Sequence, residues 1–290
     1  MKKIGFIGLG VMGEPMAMHL LEKYHELYVY TRTKKKADAI INKGAIWCET
    51  IGELAEKCEI IITIVGMHTD VQDVYLGKSG LVNVCNPHTI LIDMTTSSPS
   101  LAQEIYEKAL TKEIFVLDAP VSGGDIGAQK ATLSIMVGGD EDIYHECLPI
   151  FETLGKNIVY QGKAGSGQHT KMVNQIVIAG NMIGMVEALV YAKQANLDVN
   201  RALKSISSGA AGSWQLQNNA PKIINKDYEP GFFIKHFVKD IHLAQEEARN
   251  VATDLPGLDL VESLYASLME NGYGNLGTQA LIKYYEDEEF

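Results

Sequence analysis

The chain has 290 residues, room for one large or two medium domains, with 46% hydrophobic and 21% charged residues, the balance of a protein that buries a full core. Its 25 Lys and Arg against 36 Asp and Glu leave a formal charge of −11, which argues against nucleic acid or an anionic membrane as a general partner; an anion would need a local site. Cys48, Cys58, Cys85 and Cys147 are scattered without metal spacing and read as free thiols of a reducing, cytoplasmic compartment, and no histidine spacing suggests a metal.

In chain order, the apolar run Ile4–Ile7 reads as a buried strand. It feeds Gly8-Leu9-Gly10-Val11-Met12-Gly13, and a helical pattern follows over Pro15–Tyr24. Strand, glycine turn and helix in this order are the context of a dinucleotide-binding turn. Gly8 allows the tight turn, Gly10 lets a pyrophosphate approach the backbone, and Gly13 lets the helix pack on the strand. The helix N-terminus offers N–H groups and a partial positive charge to phosphates. Lys2-Lys3 before apolar residues mimics a signal peptide, but that run is short, broken by glycine and interrupted by Glu14.

Further β-rich runs are Leu27–Tyr30, Ile60–Val65, Ile90–Asp93, Phe115–Asp118, Leu133–Val137 and Ile158–Tyr160. Helical stretches fall near Lys35–Lys43, Ile51–Lys57, Asp70–Tyr75 and Ser98–Thr111. The alternation predicts an α/β unit with a mostly parallel sheet and helices on both faces. After the glycine-rich segment Gly162–Gly167 the pattern turns wholly helical. One long helix runs from Gln168 to about Asn196, and others lie near Val199–Ser207, Gln215–Asn225, Phe237–Ala252, Asp259–Asn271 and Gly277–Tyr285. The boundary is placed near Lys163: residues 1–163 bind the cofactor and residues 164–290 form an all-helical domain. The most apolar stretch, Ile176–Met185, is too short to span a bilayer and is closed by Glu187. Gly180 and Gly184 permit a close helix crossing or a subunit contact. The acidic tail Glu286–Glu289 reads as solvated.

The second strand ends at Tyr30 and continues Thr31-Arg32-Thr33-Lys34-Lys35-Lys36. An acidic residue here would accept hydrogen bonds from the adenosine ribose; Arg32 and Thr33 stand there instead. The planar guanidinium suits a 2′-phosphate, so NADP is expected over NAD. Two segments at strand C-terminal ends are site candidates. Asp93–Pro99 offers Thr96, with Ser98-Pro99 reading as a helix cap. Asp118–Gly124 offers Ser122-Gly123-Gly124, whose backbone N–H groups could cradle a carboxylate, although the same residues also make ordinary turns. Lys171, Asn174 and Gln175, at i, i+3 and i+4, share one face of an otherwise apolar helix start, where a buried lysine could move a proton to or from an alcohol or carbonyl oxygen. His169 lies off this face. Trp214, Phe233 and Phe237 are candidates for shaping a substrate pocket.

Four motifs in order, Gly8–Gly13, Asp118–Gly124, Gly165 through Lys171, and Lys239-Asp240, make the whole chain resemble the β-hydroxyacid dehydrogenase family. The resemblance implies a Rossmann-type domain followed by an all-helical domain, with the active site between them. It implies Lys171 as general acid/base and Ser122, Gly123 and Gly124 as the substrate-carboxylate loop. Thr96 would contact the nicotinamide end, and Lys239 the cofactor, with Asp240 behind it. Val65-Gly66 occupies a cofactor-contacting turn where many members have Leu-Pro. Gln175 stands where many have asparagine, so either it or Asn174 would meet substrate. The expected activity is hydride transfer between NADP(H) and a small 3-hydroxy acid or semialdehyde, in a homodimer or homotetramer. The alternatives are an NAD-linked 3-hydroxyisobutyrate-type dehydrogenase and a non-catalytic NADP-binding module; an imine reductase fits the lysine poorly.

Overall fold

The computed structural model describes residues 2–287, so the acidic tail lies partly outside the described residues. The chain divides into two compact units, Met1–Lys171 and Met172–Phe290.

The first unit is built on nine strands: β1 (Ile4–Ile7), β2 (Leu27–Tyr30), β3 (Ile46–Trp47), β4 (Ile60–Thr63), β5 (Ile90–Asp93), β6 (Phe115–Asp118), β7 (Val121–Ser122), β8 (Leu133–Gly138) and β9 (Gly155–Gly162). The order is β3-β2-β1-β4-β5-β6-β8-β7, with β9 also pairing β8. Strands β3 through β6 run parallel in aligned register, Ile4 facing Leu27 on one side and Ile60 on the other. Strand β8 is antiparallel to β6 and β7 and parallel to β9. Because helices cover both faces, these strands read as continuous apolar runs. Phe6, Val29, Ile62 and Ile92 pack on one face with the helices Gly13–Tyr24 and Glu141–Leu154. Ile7, Tyr28, Ile61 and Leu91 pack on the other with Ile51–Lys57, His68–Leu76 and Pro99–Leu110.

The sequence pattern had not marked Glu141–Leu154, where Pro149 sits inside the helix. Its buried stripe of Tyr144, Cys147, Ile150, Phe151 and Leu154 recurs every three to four residues, and that burial outweighs the proline. Strands β3 and β7, two residues each, also lack a periodic signal. The expected helix Gln215–Asn225 is two pieces, Trp214–Asn218 and Ala220–Ile224, with Pro221 opening the second.

The second unit is helical, with a core of Ala179, Met182, Val186, Phe237, Ile241, Val261, Tyr265 and Leu281 among others. The 29-residue helix Ser166–Gln194 begins in the first unit and continues through the second. By length and hydropathy it could cross a bilayer, contrary to the expectation from Ile176–Met185 alone; one face of it, with Ala179, Met182, Val186 and Leu189, packs in the helical core. A Cβ on Gly180 or Gly184 would meet no atom within 4 Å, so no helix among the described residues crosses there.

Candidate active site

The glycine turn follows the C-terminal end of β1, where open α/β sheets bind ligands. Gly8 has φ +102°, and a Cβ on it would run into the Ile64 carbonyl; a Cβ on Gly13 would run into the Gly8 carbonyl. Both glycines are therefore demanded by packing within the chain. A Cβ on Gly10 would meet nothing within 4 Å, so packing leaves that position unconstrained and its backbone open to approach. The following helix has no side-chain N-cap. Open backbone at Gly10 and an uncapped helix start fit a dinucleotide pyrophosphate. Val11 is exposed, whereas Leu9 is buried in the core, so Leu9 can serve a cofactor through its backbone alone.

Arg32 lies beyond β2 with its side chain 79% exposed. Its Nη1 donates to Asp70 Oδ1 at 2.8 Å and its Nη2 to Asp70 Oδ2 at 3.4 Å. Thr33 caps a short 3-10 turn, Lys34–Ala37, through its backbone. Val65 is half-buried, and its N–H donates to Thr95 Oγ1 at 3.0 Å; Gly66 is exposed. Thr95, unmarked in the sequence, thus ties the turn after β5 to the turn after β4. Thr96 beside it is half-buried. Ser98 caps Pro99–Leu110 as expected, accepting the Leu101 N–H at 3.1 Å.

The Asp118 carboxylate, at the end of β6, accepts the N–H groups of Gly165 and Gln168, each at 2.8 Å. It holds the first turn of the long helix in place. Gly167 and Gly138 make room for it, since a Cβ on either would strike Asp118 atoms. Burial pushes the Asp118 carboxyl up to about 6, against the lowering effect of those two hydrogen bonds. Gln168, fully buried, accepts from Ser97 N–H at 3.0 Å and donates to the Thr95 carbonyl at 2.7 Å. Periodicity does not reveal it; the hint is a polar residue directly after two glycines that bring the backbone close.

Lys171, one turn further on, is 6% exposed, and its Nζ donates to the Val121 carbonyl at 2.9 Å. The next residues are Ser122, half-buried on β7, then Gly123 (φ +133°) and Gly124 (φ +63°), which opens the helix Gly124–Gln129. Lysine and carboxylate-loop candidate, fifty residues apart in sequence, are therefore adjacent. Both glycines occupy backbone conformations that L side chains rarely adopt.

In the helical unit, Gln175 is 1% exposed. Its Nε2 donates to Asp240 Oδ2 at 2.6 Å, and its Oε1 accepts from Asn174 Nδ2 at 2.6 Å. Lys239 Nζ lies 2.9 Å from Asp240 Oδ1, an ion pair without hydrogen-bond alignment. Asn174, Gln175, Asp240 and Lys239 thus form one polar chain. His169 is exposed. Phe237 is fully buried and packs edge-on against Tyr265 at 5.2 Å, so it is core and not pocket lining as the sequence had suggested. Trp214 is 55% exposed.

Comparison with known proteins agrees with this architecture. Residues 3–162 match the family model of the NAD binding domain of 6-phosphogluconate dehydrogenase. Residues 165–285 match the model described as NAD-binding of NADP-dependent 3-hydroxyisobutyrate dehydrogenase. The chain is 54% identical over 282 residues to an uncharacterized oxidoreductase of Bacillus subtilis, covering 97% of this chain and 98% of that one. It is 45% identical over 281 residues to a probable 3-hydroxyisobutyrate dehydrogenase-like mitochondrial protein of Arabidopsis thaliana, covering 97% and 84%. A solved structure of Mycobacterium tuberculosis 3-hydroxyisobutyrate dehydrogenase with L-serine superposes with a TM-score of 0.90 at 29% identity, covering 98% and 99%. The chain belongs to the β-hydroxyacid dehydrogenase family, NAD(P)-dependent oxidoreductases of small hydroxy acids and semialdehydes.

Proposed function

We propose that the protein is a 3-hydroxyisobutyrate-type dehydrogenase, transferring hydride between a nicotinamide dinucleotide and a small 3-hydroxy acid or, in reverse, its semialdehyde. The observation that carries the reading is the buried Lys171 held beside Ser122-Gly123-Gly124 by its bond to the Val121 carbonyl. The name of the Arabidopsis relative and that of the mycobacterial structure support this type. The nicotinamide, when bound, supplies or accepts the hydride. The Lys171 ammonium gives its proton to the carbonyl oxygen in reduction; the neutral amine takes the hydroxyl proton in oxidation. The Ser122 hydroxyl and the N–H groups of Gly123 and Gly124 hold the substrate carboxylate. We assign the substrate-facing amide to Asn174, because Gln175 is spent on Asp240 and on Asn174 itself. Backbone at Gly8–Gly13 takes the pyrophosphate, while Val65, Gly66, Thr96 and Lys239 serve the cofactor.

Arg32 and Thr33 support NADP(H) as the preferred cofactor, as does the lack of an acidic residue directly after β2. An NAD-linked enzyme is the second reading: the Asp70 carboxylate, held against Arg32, could accept ribose hydroxyls. The four unpaired cysteines support a reducing, cytoplasmic setting. Exposed Val173, Val177, Gly180 and Gly184 along one helix support self-association as a homodimer or homotetramer, which sedimentation would check.

The test is turnover by wild-type and Lys171→Met protein with both cofactors. Substrates are 3-hydroxyisobutyrate, glyoxylate and the succinic, tartronate and methylmalonate semialdehydes. The variant is expected to lose ~10²–10⁴ in kcat while still binding cofactor. A loss below about tenfold would remove Lys171 from the acid/base role. Cofactor binding without turnover on any substrate would favour the non-catalytic module.

A further inference from the structure

The Arg32–Asp70 pair has a position that its energy alone does not explain. Arg32 follows β2 and Asp70 follows β4, and these two strands flank β1 on either side. The pair therefore bridges the C-terminal end of β1, beside the Gly8–Gly13 turn. Asp70 is the better anchored partner. Its side chain is 17% exposed against 79% for Arg32, and its Oδ2 also accepts the Met67 N–H at 3.0 Å. It sits in the first turn of His68–Leu76 and closes the loop Val65–Met67. The guanidinium meets it with two nitrogens, the fork it would present to a phosphate.

We propose that Asp70 is a built-in competitor for the cofactor's 2′-phosphate, a specificity-determining residue that occupies the Arg32 fork in the free protein. This rests on the reading of Arg32 as the 2′-phosphate ligand. A phosphate arriving at Arg32 must displace the Asp70 carboxylate or share the fork with it, and the two anions repel. A cofactor carrying a ribose hydroxyl instead meets no such repulsion. Asp70 therefore lowers affinity for NADPH more than for NADH and narrows the preference that Arg32 alone would give. Because the arginine is largely exposed, the clasp is weak and opens readily.

The test measures dissociation constants of NADPH and NADH, by quenching of protein fluorescence, for wild-type, Arg32→Ala, Asp70→Asn and the double variant. Asparagine keeps an oxygen for the Met67 N–H; Asp70→Thr, with a hydroxyl there, repeats the test should the amide disturb the loop. Asp70→Asn is expected to tighten NADPH by ~two- to fivefold, the range an exposed ion pair supplies, and to change NADH less. That gain should vanish in the Arg32→Ala background. Arg32→Ala alone is expected to weaken NADPH by roughly ten- to a hundredfold. An unchanged NADPH/NADH ratio or weaker NADPH binding in Asp70→Asn, with Arg32→Ala still impaired, would overturn the competition and leave Arg32 as phosphate ligand. Unchanged NADPH binding in Arg32→Ala would overturn both.

Discussion

Replacing Asp118 by asparagine isolates the cost of burying one carboxylate under the helix that carries Lys171. Asp118 is 3% exposed, and its carboxyl is raised from the ordinary value of 3.8 to about 6, with burial the largest cause. The folded state therefore holds a proton that the unfolded chain releases between about pH 4 and pH 6. Where the folded state binds more protons, stability falls as pH rises. The Asp118 contribution is fully present below about pH 4 and is lost by the time pH passes about 6. The gap between 3.8 and 6, at about 1.4 kcal/mol per pH unit, makes this loss roughly 3 kcal/mol. The asparagine in Asp118→Asn does not titrate. It would instead set an amide nitrogen against one of the Gly165 and Gln168 N–H groups, a cost of ~1–3 kcal/mol at every pH. The wild-type advantage should thus be largest near pH 4 and shrink by roughly 3 kcal/mol by pH 7, other carboxylates cancelling in the difference. Urea unfolding at several pH values would measure it, in a Trp214→Phe background so that Trp47 reports the first unit alone. A difference that does not vary with pH would refute burial as the cause of the raised carboxyl.

Gly13→Ala should disable cofactor binding and destabilise the first unit by ~1–3 kcal/mol, because the new Cβ meets the Gly8 carbonyl; calorimetry and NADPH titration would check both. Gly123→Ala forces a φ of +133° on a side chain 3.3 Å from Leu133 Cδ2; KM for a carboxylate substrate should rise about tenfold with kcat moving less, and an unchanged KM would detach this loop from the carboxylate. Gln168→Leu leaves the Ser97 N–H and the Thr95 carbonyl buried without their partner, costing roughly 2–6 kcal/mol in urea melts; a loss under about 1 kcal/mol would mean that other groups take its place.

Much of the candidate site is legible in the chain because its residues follow short-range rules. Gly13 is forced by the Gly8 carbonyl within the same turn and Gly8 by its φ of +102°, while Ser98-Pro99 follows the local rules of a helix start; the Ile64 carbonyl that also bars a side chain at Gly8 comes from a distant part of the chain. Lys171, Asn174 and Gln175 share a face because a helix repeats every 3.6 residues. The strands of the first unit stood out because helices cover both faces, leaving runs of isoleucine, leucine and valine. Less regular elements did not show: β3 and β7 are too short for any period, and Pro149 masks a helix that packing sustains.

Local sequence carries the order of most elements, the change from α/β to all-helical after Gly162–Gly167, and the candidate residue types for the proposed chemistry. Tertiary structure alone decided which of those residues meet. Asp118 reaches across to Gly165 and Gln168, Gln168 to Ser97 and Thr95, Lys171 to Val121, and Asp70 to Arg32. Partners between 38 and 73 positions apart leave no periodic trace along the chain, because hydrogen bonds between them are set by strand order and helix placement and not by local backbone geometry. The same physics moved Phe237 into the helical core: its apolar surface gains more from burial against Tyr265 than spacing alone could indicate.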